Sequence, residues 1–262
     1  MYNLTPIVKN LLLINIGVFI LASMLIGDDA IFILGLKYFE SPAFQPWQFL
    51  THMFMHAGFG HLFGNMIGLF FFGPMLERTF GSQRFLVYYL ICGLGASLIY
   101  MGFVWYEIGG LQDMVQTFLI DPDPALFQSI VNEYVTGTAR IEYMNLADDF
   151  RNNPDNTALI QETKRVVNRI YNSRINIPMV GASGAVFGIL MGFALIFPNT
   201  ELFLLFFPFP IKAKYLVFFY GLYTLYAGIQ RTPGDNIAHF AHLGGMIFAF
   251  ILIKYWGYRR YN

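Results

Sequence analysis

The chain has 262 residues, of which 56% are hydrophobic and only 12% are charged, whereas a soluble domain carries roughly a quarter charged residues. This composition, with 29 Phe and 16 Tyr, predicts an integral membrane protein that lies in a lipid bilayer. The net charge of zero argues against a nucleic-acid partner. The single cysteine, Cys92, excludes an intramolecular disulfide and a cysteine-rich zinc site.

The first part of the chain contains three apolar segments of about twenty residues, the length that a bilayer core requires. We predict helices over about Val8 to Ile26, Gly60 to Leu76 and Phe85 to Trp105. The first is too long for a cleavable signal peptide and lacks a small-residue cleavage site, so we expect it to be retained. Residues 27 to 57 are apolar but broken by prolines, which predicts an interfacial segment.

Composition changes between residues 106 and 177, which hold ten of the sixteen acidic residues and six of the sixteen basic ones. The segments from Ile130 to Phe150 and from Thr157 to Asn172 have the apolar spacing of amphipathic helices. We therefore predict a small, water-facing helical insertion without a catalytic constellation. A solvated structural appendage is the favoured interpretation, and a partner site or a substrate gate is the alternative.

Three more apolar helices are predicted after the insertion, over about Pro178 to Phe197, Lys214 to Ile229 and Ile237 to Tyr255, which makes six spans. We number them helices 1 to 6 in chain order. The predicted parts of the chain are residues 1–105 with helices 1 to 3, residues 106–177 with the polar insertion, and residues 178–262 with helices 4 to 6.

The basic residues of short loops predict the orientation in the membrane. They fall on one side if both termini are cytoplasmic, and they are Lys9, Arg78, Arg84, Lys212, Lys214, Lys254, Arg259 and Arg260. The opposite short loop contains only Arg231, which Asp235 balances. We therefore expect a protein of a bacterial inner membrane with both termini in the cytoplasm and the insertion outside.

Four polar residues of three different helices match in depth: His61 and Asn65 in helix 2, Ser183 in helix 4 and His242 in helix 6. Each of these helices runs inward, and each residue lies in its first two turns, roughly 5 to 10 Å below the outer surface. Polar groups at this depth are costly unless they face a cavity or a partner. The match indicates an aqueous pocket that opens to the outer face.

Helices 4 and 6 carry small residues at every fourth position, a pattern that lets membrane helices approach closely. They are Gly184, Gly188 and Gly192 on helix 4, and Ala241, Gly245 and Ala249 on helix 6. Close packing would bring the Ser183 hydroxyl within hydrogen-bond reach of the His242 imidazole, as a serine nucleophile requires. The alternative is that each of the two side chains bonds a backbone carbonyl.

Donors for an oxyanion are available nearby from the Asn65 amide, the His61 imidazole and the backbone N–H of Ser183. Asn65 could instead bridge two helices. His239, one turn from His242, is the second candidate for a base. It ranks below His242 because it lies nearer the membrane surface.

Other intramembrane chemistries lack their residues. His52 and His56 are four residues apart but have no carboxylate or cysteine as a third ligand, so no metal or other cofactor is predicted. No His-Glu-x-x-His occurs, which argues against a zinc metalloprotease. Asp and Glu are missing from the interiors of the six helices, which argues against a paired-aspartate protease and a proton-coupled transporter.

Three motifs resemble those of the rhomboid intramembrane serine proteases. They are His52-x3-His56-x4-His61-x3-Asn65, Gly181-x-Ser183-Gly184 and Ala241-His242-x-Gly-Gly245. They occur in the matching order, and the resemblance covers about residues 1–105 and 178–262. It implies an all-α bundle of six transmembrane helices, in which residues 27–57 form a membrane-embedded first loop.

The resemblance also implies roles for individual residues. Ser183 would be the nucleophile and His242 the general base, a dyad without an acidic third member. His61, Asn65 and the Ser183 amide would form the oxyanion hole. Supporting positions would be His56, Phe187, Gly181, Gly184 and Gly245. The implied activity is cleavage of transmembrane segments of membrane proteins, and the alternative is a non-proteolytic relative that binds such helices.

Two positions depart from the pattern that many members share. Phe187 stands where a Tyr is frequent, so it can stack on the histidine but cannot donate a hydrogen bond. Trp47-Gln48 replaces a Trp-Arg pair, which leaves the anchoring of the first loop open. The physiological substrate, the role of the insertion and the oligomeric state are not determined by the sequence.

Overall fold

The structure is a computed structural model, and it describes residues 4–27, 29–203, 209–230 and 238–258. Its helices are α1 Pro6–Leu25, α2 Asp29–Leu34, α3 Gln48–Thr51, α4 Phe59–Phe80, α5 Ser82–Ile120, α6 Pro124–Tyr134, α7 Gly137–Asn152, α8 Thr157–Ile175, α9 Ser183–Ile196, α10 Ala213–Gln230 and α11 His239–Trp256. A 3₁₀ turn, His52–Phe54, follows α3, and two short strands, β1 Glu201–Leu202 and β2 Ile211–Lys212, pair antiparallel before α10.

Helices occupy all six segments for which spans are predicted, as α1, α4, α5, α9, α10 and α11. Within the described ranges, four of them are long and apolar enough to cross a membrane: α1, α4, α5 and α11. The apolar helix α9 is shorter, at 14 residues. Helix α10 is continuous, but its apolar sequence contains four tyrosines. Some of the charged residues from which the orientation is predicted lie outside the described residues, namely Arg231, Asp235, Arg259 and Arg260.

Helix α5 differs from its prediction, because it does not end at Trp105 but continues unbroken to Ile120. Its 39 residues give a length of about 58 Å, nearly twice the hydrocarbon core of a bilayer. Trp105 and Tyr106 are 60% and 73% exposed, and such aromatic rings concentrate at membrane interfaces. The final four turns therefore project beyond the apolar part of the helix.

The projecting end of α5 forms a separate hydrophobic core with α6, α7 and α8. Leu111 and Phe118 of α5 are fully buried in it, as are Phe127 of α6 and Phe150 of α7. Asp123 accepts a hydrogen bond from the Leu126 N–H and so caps α6. The predicted continuous segment 130–150 is two helices, α6 and α7, that pack against each other.

Helix α9 lies at the centre of the apolar bundle, in contact with α4, α5, α10 and α11. Its glycines allow this packing, because a Cβ at Gly184 would collide with Ala96 of α5, and one at Gly188 would stand 2.6 Å from the Cys92 Cβ. On the α11 side, a Cβ at Gly245 would overlap the Gly184 carbonyl. The small residues of α9 therefore allow close packing against α5 as well as against α11. The sequence predicts only the contact with α11.

The segment between α1 and α4, residues 27–58, is anchored by one side chain. Gln48 is 1% exposed, and its Oε1 accepts from the backbone N–H groups of Lys37 (3.3 Å) and Gln45 (3.2 Å). Its Nε2 donates to the carbonyls of Ile33 (3.1 Å) and Ala43 (3.0 Å). The neutral amide of Gln48 thus accepts two hydrogen bonds and donates two. These bonds anchor the segment although Gln48 stands where many rhomboid proteases have an arginine.

Substitution Gln48→Ala should destabilise the protein by about 2 kcal/mol or more, because it leaves four backbone groups of a buried segment without their partner. Thermal unfolding in detergent micelles, followed by circular dichroism, would measure the change. The matched control is Gln45→Ala, since the side chain of Gln45 is half-buried and only its backbone takes part in this network. Equal midpoints for the two variants would contradict the anchoring role.

Candidate active site

The structure brings Ser183 and His242 together at the N-terminal ends of α9 and α11. Ser183 Oγ lies 3.0 Å from His242 Nε2, within hydrogen-bond distance. Ser183 is the first residue of α9, whereas the sequence predicts a helix start at Pro178. His242 is in the first turn of α11, and its backbone N–H donates to the Ala238 carbonyl at 3.2 Å.

The plane of the His242 ring is set by an aromatic stack. The ring of Phe187, one turn after Ser183 on α9, lies 4.0 Å from that of His242 with an interplanar angle of 9°. The ring of Phe187 also contacts Tyr220 of α10, with the two ring centroids 4.9 Å apart. Phe187 therefore orients His242 through ring packing alone, without a hydrogen bond.

Of the two histidines at the start of α11, His242 is the one that contacts the serine. His239 is 6% exposed, and its ring lies 6.2 Å from that of His242 and 6.5 Å from that of Tyr223, edge-on to both. His239 thus packs behind His242, towards α10.

His61, in the first turn of α4, is oriented by a backbone group that the sequence pattern does not reveal. The N–H of Ala57 approaches His61 Nδ1 at 3.4 Å. A neutral imidazole that accepts at Nδ1 carries its proton on Nε2. The nitrogen that faces Ser183 is therefore the one able to donate a hydrogen bond.

Gly181 determines how closely His61 can approach the serine. Its φ of +121° is unfavourable for any residue with a Cβ. A Cβ built there would be 2.6 Å from His61 Nε2 and 3.6 Å from Ser183 Oγ. The imidazole edge and the hydroxyl thus border the same small space, which only a glycine leaves open.

Asn65 lies one turn below His61 on α4 and is 6% exposed. Its Nδ2 donates to the His61 carbonyl at 3.0 Å, so one of its two amide hydrogens is used within the helix. The second hydrogen is available for another acceptor. The backbone N–H of Ser183, at the start of α9, is a further donor without an intrahelical acceptor.

His52 and His56 lie behind this space, in the segment before α4. They are 2% and 3% exposed, and backbone groups of Phe49 and Phe54 lie near the rings of His52 and His56, respectively, outside strict hydrogen-bond geometry. Burial lowers the pKa of each to about 4, and proximity to His61 adds to the effect at His56. Both are therefore neutral at neutral pH, and the His56 ring packs edge-on against His61 with centroids 5.2 Å apart.

No metal centre is formed by the described residues, in which His, Cys, Asp and Glu never gather in groups of three with suitable spacing. The arrangement offers a hydroxyl, a neighbouring imidazole and several N–H donors in a confined space. These are the components of nucleophilic acyl transfer.

Substitution Gly181→Ala should slow the reaction of Ser183 with a fluorophosphonate by about a hundredfold, because the added methyl group would displace His61 or the serine. Labelling rates measured by in-gel fluorescence would test this. Gly17→Ala in α1 is the control, since a Cβ there meets no atom within 4 Å. Unchanged labelling of Gly181→Ala would show that the close approach is unimportant.

Comparison with known proteins places this geometry in a family context. The sequence model of the Rhomboid domain matches residues 43–111 and 157–259. The unmatched residues 112–156 contain α6 and α7, so these two helices lie outside the shared domain. The matched regions contain Ser183, His242, His61 and Asn65.

Individual relatives carry related names. RHOMBOID-like protein 12, mitochondrial, of Arabidopsis thaliana is 28% identical over 249 residues, which are 94% of this chain and 56% of the relative. Rhomboid protease GlpG of Klebsiella pneumoniae is 31% identical over 119 residues, 45% of this chain and 43% of the relative. RHOMBOID-like protein 2 of A. thaliana is 47% identical over 55 residues, 21% of this chain and 17% of the relative.

The chain therefore spans about half the length of the first of these relatives and less of the others. The domain match nevertheless covers well over half of the chain and includes all three motifs. Together with its membrane-spanning helices, this identifies an integral membrane protein, and the chain belongs to the rhomboid family.

Proposed function

We propose that the chain is an intramembrane serine endopeptidase that cleaves transmembrane segments of other membrane proteins. The observation that carries the proposal is the 3.0 Å contact between Ser183 Oγ and His242 Nε2, in a family that includes a relative named as a rhomboid protease. A serine hydroxyl is a poor nucleophile until a neighbouring base accepts its proton. The contact supplies that base.

The reaction follows from the geometry. His242 Nε2 accepts the proton of Ser183 Oγ as the oxygen bonds to the substrate carbonyl carbon. The carbonyl oxygen becomes an oxyanion, and the donors that stabilise it are His61 Nε2–H, Asn65 Nδ2–H and the Ser183 N–H. His242 then protonates the departing amine as the C–N bond breaks, which leaves an ester on Ser183.

Hydrolysis of that ester completes the cycle. His242 takes a proton from water, the resulting hydroxide attacks the ester carbonyl, and the proton returns to Ser183 as the carboxylate product leaves. Since a helical amide is shielded by its own hydrogen bonds, a substrate helix must unwind locally first. Substrates with helix-breaking or small residues near the cleavage point are therefore favoured.

We infer that six helices, α1, α4, α5, α9, α10 and α11, span the membrane around this site. The 14 residues of α9 extend only about 21 Å, compared with a hydrocarbon core of about 30 Å. With its C-terminal end at the inner interface, Ser183 would lie roughly 9 Å below the outer surface. This depth supports a site reached by water from the outside.

The exposed positions of α5 support the same orientation. Trp105 and Tyr106 would lie at the outer interface, so that residues 106–177 form a water-facing insertion and both termini are cytoplasmic. The mitochondrial designation of one relative admits an organellar membrane, and a bacterial inner membrane is the membrane that we propose.

Substitution Ser183→Ala should abolish cleavage of a transmembrane substrate by the protein reconstituted in liposomes, because it removes the hydroxyl that contacts His242. A fluorophosphonate should label the wild type and not the variant. Ser23→Ala is the matched control, since Ser23 is exposed and bonds only the Phe19 carbonyl of its own helix. Binding of the substrate without cleavage by the wild type would instead support a non-proteolytic helix-binding protein.

Substitution Asn65→Ala should lower kcat by about 10²- to 10³-fold with little change in KM, as expected when one oxyanion donor is lost. Steady-state kinetics with a fluorogenic transmembrane peptide would measure both constants. Asn145→Ala, on the exposed surface of α7, controls for general effects. A change confined to KM would assign Asn65 to ground-state binding.

A further inference from the structure

Seven residues, 176–182, connect α8 of the insertion directly to Ser183, and we call them the serine linker. The linker is held in place by the segment between α1 and α4. Met179 and Leu36 exchange two backbone hydrogen bonds, of 2.8 and 2.9 Å, and the Gly181 N–H donates to the His52 carbonyl at 2.9 Å. The position of the serine therefore depends on how the linker sits on this segment.

Side chains tie the end of α8 to the same segment. Ser41 Oγ donates to Asn176 Oδ1 at 2.7 Å, and the Tyr171 hydroxyl donates to Glu40 Oε2 at 3.3 Å. The Asn176 amide nitrogen donates to the Asn172 carbonyl at 2.7 Å, which orients its oxygen towards Ser41. We call Tyr171 and Asn176, together with their partners Glu40 and Ser41, the α8 clamp.

An apolar contact lies beneath the clamp. Tyr38, Ile108 of α5 and Ile175 of α8 are 4%, 3% and 3% exposed and pack together. The insertion has its own buried core, which α8 shares with the end of α5. The clamp thus joins this core to the segment that holds the serine linker.

The site leaves little room for displacement of that linker. The point at which a Gly181 Cβ would stand is already 2.6 Å from His61 Nε2. A shift of the linker by a fraction of an ångström would therefore change the distance between the His61 donor and the Ser183 hydroxyl. Misplacement by about 1 Å can reduce a rate about a hundredfold.

We infer that Asn176 and Tyr171 are positioning residues, through which the helical insertion holds Ser183 and His61 at the separation that acyl transfer requires. The inference rests on the proposed peptidase function. It gives the insertion a task in the reaction without contact between the insertion and the scissile bond. Asn176 and Tyr171 touch neither Ser183 nor His242, and they act through the linker.

The test compares Asn176→Ala with Asn168→Ala, an exposed asparagine of α8 that bonds only the Lys164 carbonyl. We expect Asn176→Ala to lower kcat about tenfold with KM within about twofold, and to slow fluorophosphonate labelling of Ser183 in parallel. Asn168→Ala should match the wild type. Tyr171→Phe, which keeps the apolar packing, should show a smaller loss of the same kind.

Rescue separates positioning from general destabilisation. Asn176→Asp keeps an oxygen acceptor for Ser41 but loses the N–H that donates to the Asn172 carbonyl, so it should be more active than Asn176→Ala and less active than the wild type. Ser41→Ala combined with Asn176→Ala should be no slower than Ser41→Ala alone, because both substitutions remove the bond between Ser41 and Asn176, and Ser41→Ala also removes the acceptor of the Ala43 N–H. Additive losses, a change in KM alone, or wild-type kinetics of Asn176→Ala would overturn the inference.

The two proposals fail in different ways. A wild type that cleaves, with inactive Ser183→Ala and fully active Asn176→Ala, would overturn only the role of the clamp. A wild type that reacts with fluorophosphonate but cleaves nothing would overturn the peptidase function, and labelling rates would still test the clamp. Absence of both reactions would overturn both proposals.

Discussion

The close approach of α9 and α11 is the contact on which the site depends. A Cβ at Gly245 would overlap the Gly184 carbonyl, so the two backbones are as near as glycine allows. Without side chains between them, the helices place Ser183 Oγ and His242 Nε2 3.0 Å apart. In a bilayer, where lipid tails are as apolar as leucine, such packing must come from shape and van der Waals contact.

The cost of polar groups in an apolar environment explains much of the remaining architecture. Gln48 satisfies four backbone groups of a segment that does not form a long helix. His52 and His56 avoid the cost of a buried charge by staying neutral, as their lowered pKa values indicate. The neutral ring of His56 packs edge-on against that of His61.

The insertion is joined to the site more closely than its composition suggests. Its polar surface and separate core are those of a water-facing appendage, which was the favoured interpretation. Its last helix, however, leads into the serine linker and is tied to the segment between α1 and α4 through Asn176 and Tyr171. The insertion can in this way affect the residues of the proposed site.

The sequence alone predicted helices in the six segments where the structure has them, because burial in a bilayer demands long apolar runs, and the same demand made the polar residues of the proposed site conspicuous. Family membership, predicted from three motifs, is confirmed by the domain match. The predicted ends of helices were less accurate. Helix α5 is predicted to end at Trp105, yet the packing of Leu111 and Phe118 against α6 to α8 keeps it helical to Ile120.

Only the tertiary structure decided how the groups meet. No local sequence pattern predicts the Ala57 N–H that sets the His61 tautomer. The same is true of the contacts that α9 makes with Ala96 and Cys92. The positive φ of Gly181 and the bonds of the serine linker likewise depend on distant segments. Apolar length and residue type are properties of the local chain, whereas these contacts arise between segments that are far apart along it.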